Sequence, residues 1–377
     1  MKASRFAWIV LGALAAARVP EARAFEIGAD LSSLPRVEAG GAVFSDGDTT
    51  ADAITLLRRA GFTSVRLRLW HTPADGDCAL APTLALAKRA QGAGLRVLLD
   101  LHYSDTWADP AHQSPPAAWA ALSPETLRDS VRAYTRDVLA AFVAQGTPPA
   151  WVQIGNEIDG GMLWESGRLR GGRARLASRE TFARLVRAGA DGAREASPGT
   201  KIVVHFSGGG DRDGAEEFFA TLDERDVPFD VMAVSYYPWW HGTPRQLEST
   251  LRALASRFSR PVMVAETAQP WTSAWFDATH NAAGKLPAGA HPASPEGQAA
   301  FAAEVRAIVT RVSGGRGLGV WWWEPAWIVA PHATSPWENC TLFDEKGALL
   351  PAARALVQGA PVPAAPAAPR DVTRHRR

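Results

Sequence analysis

Two apolar runs in this sequence each end in a carboxylate. The first is WVQIG followed by Asn156 and Glu157; the second is PVMVA followed by Glu266 and Thr267. A charge at the end of a buried-type run is costly unless it is paired or put to use. Structural salt bridges would explain such a pair. Two carboxyls facing one another across a cleft could instead cleave a glycosidic bond, one as a general acid with a raised pKa and the other as an ionised nucleophile.

More polar groups stand at the ends of similar runs. Arg66 and Arg68 alternate in VRLRLW, so both project to one face of a strand, where a guanidinium could keep Glu266 ionised. His102 lies in the dense run DLHYSDTWAD, and Asp30, Tyr236 and Glu324 end three further runs. Other chemistries lack their signatures. There is no HxH, HExxH or GxSxG, and His102 with His205 would still lack a third zinc ligand. Asp211-Arg-Asp213-Gly opens like a calcium loop but has no glutamate at the required spacing. The glycine-rich SGGGDRDG has no Lys-Ser/Thr and reads as a turn.

The elements that would position these groups recur eight times. Strand-like runs are Phe25–Leu31, Ser64–Trp70, Arg96–Tyr103, Trp151–Glu157, Lys201–Ser207, Val231–Tyr237, Pro261–Thr267 and Gly319–Pro325. Between them lie helical patterns such as Pro124–Gln145 and Glu296–Val312, with start signals at Ser123, Ser178 and Thr243 and glycine stops at Gly61, Gly94 and Gly146. Eight strand–helix units predict the α/β class, as a single (β/α)8 TIM barrel. An open doubly wound sheet is disfavoured because the first unit has no GxGxxG. In a barrel, chemistry belongs where the strands end, which is where the charged residues fall.

The chain has 377 residues, 40 basic against 39 acidic, two cysteines and fifteen tryptophans. Residues 1–24 have a charged start, a short apolar run and an Ala22-Arg23-Ala24 cleavage site, the pattern of a signal peptide on a secreted protein. Residues 359–377 form a Pro/Ala-rich basic tail expected to be disordered, which leaves 25–358 as the catalytic domain. Without those ends the net charge falls to −5, no footprint for nucleic acid or a membrane, and a monomer is expected. Trp8 lies in the leader. Of the other tryptophans, only Trp119 and Trp151 lie away from strand ends and the loops after them. Such a gathering suggests flat platforms for sugar rings, although some, such as Trp322, must be core.

The motifs GADLSSL, VRLRLW, LLDLHYSDTWADP, VQIGNEIDGGMLW, SYYPWWHG, VAETAQPW, WWWEPAWI and WENCTLFD follow in order from Gly28 to Asp344. Together they resemble those of glycoside hydrolase family 53, the arabinogalactan endo-β-1,4-galactanases. The resemblance implies a retaining enzyme acting on β-1,4-galactan, with Glu157 as acid/base, Glu266 as nucleophile and Asn156 at the sugar 2-hydroxyl. It implies Arg66 and Tyr236 beside the nucleophile, and His102, Trp107, Trp323 and Glu324 along the substrate. Asp30 and Trp239 belong to the same motifs and are taken as substrate-binding too. Gln269 stands where the family commonly has tyrosine. Some bacterial members hold calcium in the loop after the seventh strand. Here that loop offers Asp277 and a few weaker oxygens, so no metal or other cofactor is expected. Cys78 and Cys340, both in loops after strands, could form a disulfide. The competing readings are a mannanase or xylanase of the same clan, and a polysaccharide-binding protein on an inactive barrel.

Overall fold

The computed structural model describes residues 25–171 and 175–358, so the leader and the tail lie outside the described residues. Eight parallel strands close into a barrel: β1 (Glu26–Asp30), β2 (Ser64–Leu69), β3 (Arg96–Leu101), β4 (Trp151–Ile154), β5 (Lys201–Phe206), β6 (Val231–Tyr236), β7 (Val262–Thr267) and β8 (Gly317–Trp322). Each pairs with the next in sequence, and β8 closes on β1. A helix follows each strand: α1 (Ala53–Ala60), α2 (Leu80–Gly92), α3 (Pro124–Gln145), α4 (Arg175–Ala196), α5 (Arg212–Asp223), α6 (Pro244–Phe258), α7 (Pro295–Thr310) and α8 (Pro351–Gln358). All eight expected strands are present, each shorter than expected at one or both ends, and β8 also begins two residues earlier, at Gly317.

Local chemistry sets the helix ends. The Ser123 side chain accepts from Thr126 N at the start of α3, and Gly146 ends that helix at φ 81°. Thr243 and Gln246 form a reciprocal capping box on α6. Asp211 caps α5 by accepting from Gly214 N, which is the use made of the calcium-like DRDG. Ser178 is not the expected start signal. It sits inside α4, where its hydroxyl accepts from Arg170 N and ties the preceding loop to the helix.

Two packed regions hold the fold. Outward-facing strand residues pack against the helices in the larger core. Inside the barrel, Leu98, Trp151, Val203, Val231, Ala233, Met263, Ala265, Leu318 and Trp321 fill the lower part. Gly28 in β1 makes room for this filling, since a Cβ there would lie 2.0 Å from the Trp321 ring. Polar side chains begin above that layer.

A candidate active site at the carboxyl ends of the strands

Strand alternation brings most of the polar groups inside. Asp30, Arg66 and Arg68, Asp100 and His102, Gln153, His205 and Ser235 follow the inward face of β1 to β6. Glu266 breaks the alternation. Met263 and Ala265 already face inward, so strict period-two geometry would send Glu266 out to the helices. Register irregularities after Val264 against β8, and at Val234/Ser235 of β6, turn its carboxyl back into the barrel. On β4 the strand stops at Ile154, and Gly155 at φ 80° reverses the chain. A Cβ at Gly155 would lie 2.6 Å from Ile158, so only glycine fits that turn. Glu157 follows at φ 47°, a left-handed conformation that a non-glycine residue adopts at a cost.

Arg66 is the hub. It is fully buried and ion-pairs with Asp30, Asp100 and Glu266, each at 2.8 Å. It also donates to Asn156 Oδ1 at 2.9 Å and to Gln153 Oε1. Burial works against the charge of Asp100, but Arg66 and His102 hold that carboxyl below its ordinary range. His102 Nδ1 accepts from Ala108 N at 3.0 Å and from Trp70 Nε1 at 3.3 Å. Its single hydrogen is therefore on Nε2, donated to Asp100 at 3.0 Å. Burial keeps this ring neutral by lowering its pKa.

The two glutamates meet through one hydroxyl. Ser235 Oγ lies 2.6 Å from Glu157 Oε1 and 3.5 Å from Glu266 Oε2, so those oxygens are no more than about 6 Å apart, below the 6.5–9.5 Å typical of inverting enzymes. Burial, and then the charge of Glu266, push Glu157 well above the carboxylate range. Burial also raises Glu266, to about 7, against the pull of Arg66. Tyr237 Oη donates to Glu266 Oε2 at 3.0 Å. With a guanidinium and a phenol on Glu266 and neither on Glu157, the pair divides so that Glu157 keeps its proton and Glu266 ionises first.

Several expected contacts fall elsewhere. Tyr236 is not beside the nucleophile. Its side chain faces outward, stacks on Phe301 and donates to Gly242 O at 3.0 Å, while Tyr237, one residue on, takes the inward place. Asp30, His102 and Glu324 were expected to line the cleft but are almost wholly buried behind it. Asp30 pairs with Arg66, His102 anchors the loop after β3, and Glu324 pairs with Arg68 at 3.2 Å and accepts from Ser33. Gln269 is also fully buried, donating to His291 O, and does not reach the cleft. Sequence reasoning missed Ser235, Tyr237 and Gln153. Counting alternate residues inward from Val231 would have found the first two.

An aromatic wall runs beside the glutamates. Trp107 packs on Trp323 at 6.0 Å, and Trp323 on Trp337 at 6.1 Å. Trp337 in turn meets Tyr237 and Trp239. Arg68 lies 4.0 Å below the Trp107 ring centroid. Trp240, 56% exposed, extends the wall to the rim. The tryptophan gathering is therefore real but smaller than expected. Trp321 and Trp322 are core, and Trp271 and Trp327 bond to loop carbonyls.

In the loop after β7, Asp277 accepts from Thr279 N and Ser335 N, and Glu338 accepts from Phe276 N and Asn281 Nδ2. Both Asp277 oxygens and Glu338 Oε1 are thereby engaged, while Glu338 Oε2 and Asn281 Oδ1 are buried with no protein partner. No group of three or more His, Cys, Asp or Glu is arranged for a metal among the described residues. Cys78 and Cys340 are both buried free thiols, so the conceivable disulfide is absent. No helix among the described residues is long and apolar enough to cross a membrane.

Known proteins share both sequence and shape with this chain. The profile of Glycosyl hydrolase family 53 matches residues 26–356. An endo-beta-1,4-galactanase of Bacillus subtilis (strain 168) is 36% identical over 334 residues, covering 85% of this chain and 74% of that protein. An arabinogalactan endo-beta-1,4-galactanase of Thermothelomyces thermophilus is 36% identical over 337 residues, covering 86% and 96%. The Ignisphaera aggregans GH53 catalytic domain superposes with a TM-score of 0.83 at 35% identity, covering 88% of this chain and 96% of that one.

Proposed function

We propose a function from one premise: the chain belongs to glycosyl hydrolase family 53. It is a glycoside hydrolase, and its substrate is the β-1,4-linked galactan for which its galactanase relatives are named. Glu266 attacks the anomeric carbon while Glu157 protonates the departing glycosidic oxygen; Glu157 then draws a proton from water, which releases the sugar with net retention. Arg66 and Tyr237 favour the ionised form of Glu266 against burial, and the second Nδ2 hydrogen of Asn156 is free for a sugar hydroxyl once the first has gone to Ala108 O. The observation that carries this reading is the Ser235 hydroxyl lying between the two carboxyls, which keeps them close enough for double displacement. Proton NMR of products taken within the first minutes of galactan cleavage should show the β-anomer forming first. An initial α-anomer would overturn the mechanism, and equal cleavage of mannan or xylan the substrate.

The carboxyl pair supplies the whole reaction, so activity should survive dialysis against EDTA. Polymeric galactan cannot enter a cell, which favours reading residues 1–24 as an export signal and 25–358 as the secreted, monomeric catalytic domain. Amino-terminal sequencing of the exported protein should begin at Phe25.

A further inference from the structure

Ser235 and His205 transfer no proton in the reaction as just written, yet both are fully buried, Ser235 against Glu157 and His205 against Ser235. Hydrogen counting assigns their roles. Asn156 Nδ2 donates to Ala108 O at 2.8 Å, so the atom facing His205 Nδ1, at 3.0 Å, is the acceptor Oδ1. Gln153 Nε2 has two hydrogens, taken by Asp100 Oδ1 at 2.6 Å and Gly155 O at 3.0 Å in preference to His205 Nδ1 at 3.2 Å. A neutral imidazole has one N–H, and here it must sit on Nδ1 and point at Asn156. Burial and the nearby Arg66 keep the ring neutral by pushing its pKa well down. Nε2 is then an acceptor, and Ser235 Oγ, 2.9 Å away, is its donor. With its one hydrogen given to His205, Ser235 can only accept across the 2.6 Å contact to Glu157, so that hydrogen belongs to Glu157.

We propose that Ser235 and His205 form a positioning pair that keeps the acid hydrogen on Glu157 in the free enzyme. The chain of donors runs from Glu157 to Ser235 to His205 Nε2, and from His205 Nδ1 to Asn156. When Glu157 loses its proton, the Ser235 hydroxyl turns to the new carboxylate and leaves His205 Nε2 as a buried acceptor with no donor. That penalty falls on the ionised form alone, so the pair resists ionisation. A sugar oxygen arriving beside Glu157 competes with Ser235 for the hydrogen and takes it as the glycosidic bond breaks. The other titratable groups facing His205 are Arg66 from β2, Asp100 and His102 from β3, and His241 after β6. Those facing Glu157 are Glu266 from β7, Asp159, Tyr237 and again Arg66. None of these donates to Nε2.

The proposal rests on Glu157 being the acid, and its test separates the two ideas. The pH dependence of kcat/KM reports the free enzyme. In His205→Phe the Ser235 hydrogen is released to Glu157, and the alkaline limb on a β-1,4-galacto-oligosaccharide should fall by about one pH unit. Adding Ser235→Ala removes that hydrogen and should bring the limb back up, a rescue that mere loosening of the barrel would not give. A limb that stays or rises in His205→Phe overturns the pair. Full activity in Glu157→Gln would instead overturn the acid assignment beneath it. Because His205 is buried and its variant could misfold, nitrogen-15 NMR of histidine-labelled wild-type enzyme gives a second measurement. His205 should show a protonated Nδ1 and a bare Nε2, and the opposite tautomer sinks the proposal.

Discussion

One guanidinium, Arg66, serves three buried carboxylates, so Glu266 remains under-compensated and burial lifts its pKa from 4.5 to about 7. A pKa raised by folding means that the folded state favours the protonated carboxyl. The stability this gives is fully present below the unfolded value and is lost as pH rises through about 7. Glu266→Gln should therefore be inactive yet more stable than wild type at pH 8, by about 3 kcal/mol, with the gap closing below pH 4.5. Tm measured across that range checks it, and a variant less stable at pH 8 would refute it. The two adjacent tyrosines should separate cleanly. Tyr237→Phe removes a hydrogen bond to a charged group and should lower kcat/KM about 10–100-fold. Tyr236→Phe removes only a bond to Gly242 O and should leave kinetics within a few-fold while costing about 1 kcal/mol of stability.

At the scale of elements, the strands were legible because parallel strands covered on both faces read as continuous apolar runs. Helix α3 was legible at both ends because Ser123 and Gly146 are local devices that work without tertiary help. Ser178 misled because a serine before a helical pattern looks the same whether it caps the helix or ties a loop to it from inside. Thr243→Ala removes the capping box of α6 and should cost about 1 kcal/mol in denaturant unfolding. Gly28→Ala should cost more, about 1–3 kcal/mol, because the added methyl meets the Trp321 ring inside the barrel rather than solvent. The facing of Glu266 was not legible. Alternation along β7 points it outward, and only the register slips against β6 and β8 reverse that.

Across the whole molecule, the aromatic wall from Trp107 to Trp240 joins the ends of three strands, β3, β6 and β8, into one surface beside the carboxyls. Trp240 is its exposed end, so Trp240→Ala should raise KM on long galactan about 5–10-fold with kcat and Tm unchanged, the pattern of binding lost equally from ground and transition states. A fall in kcat instead would place Trp240 nearer the chemistry. The eight strand–helix units, the placing of Glu157 and Glu266 at strand ends and the family can all be read along the chain, because they follow from apolar runs, caps and contiguous motifs that survive in one dimension. Folding settles the rest: which of two neighbouring tyrosines touches Glu266, the burial of Asp30, His102 and Glu324 behind the cleft, and the contact of Ser235 with both His205 and Glu157. Those outcomes depend on bulges, on closure of the barrel and on the sharing of a few hydrogens among many acceptors. Each is a relation between strands, and no single strand contains it.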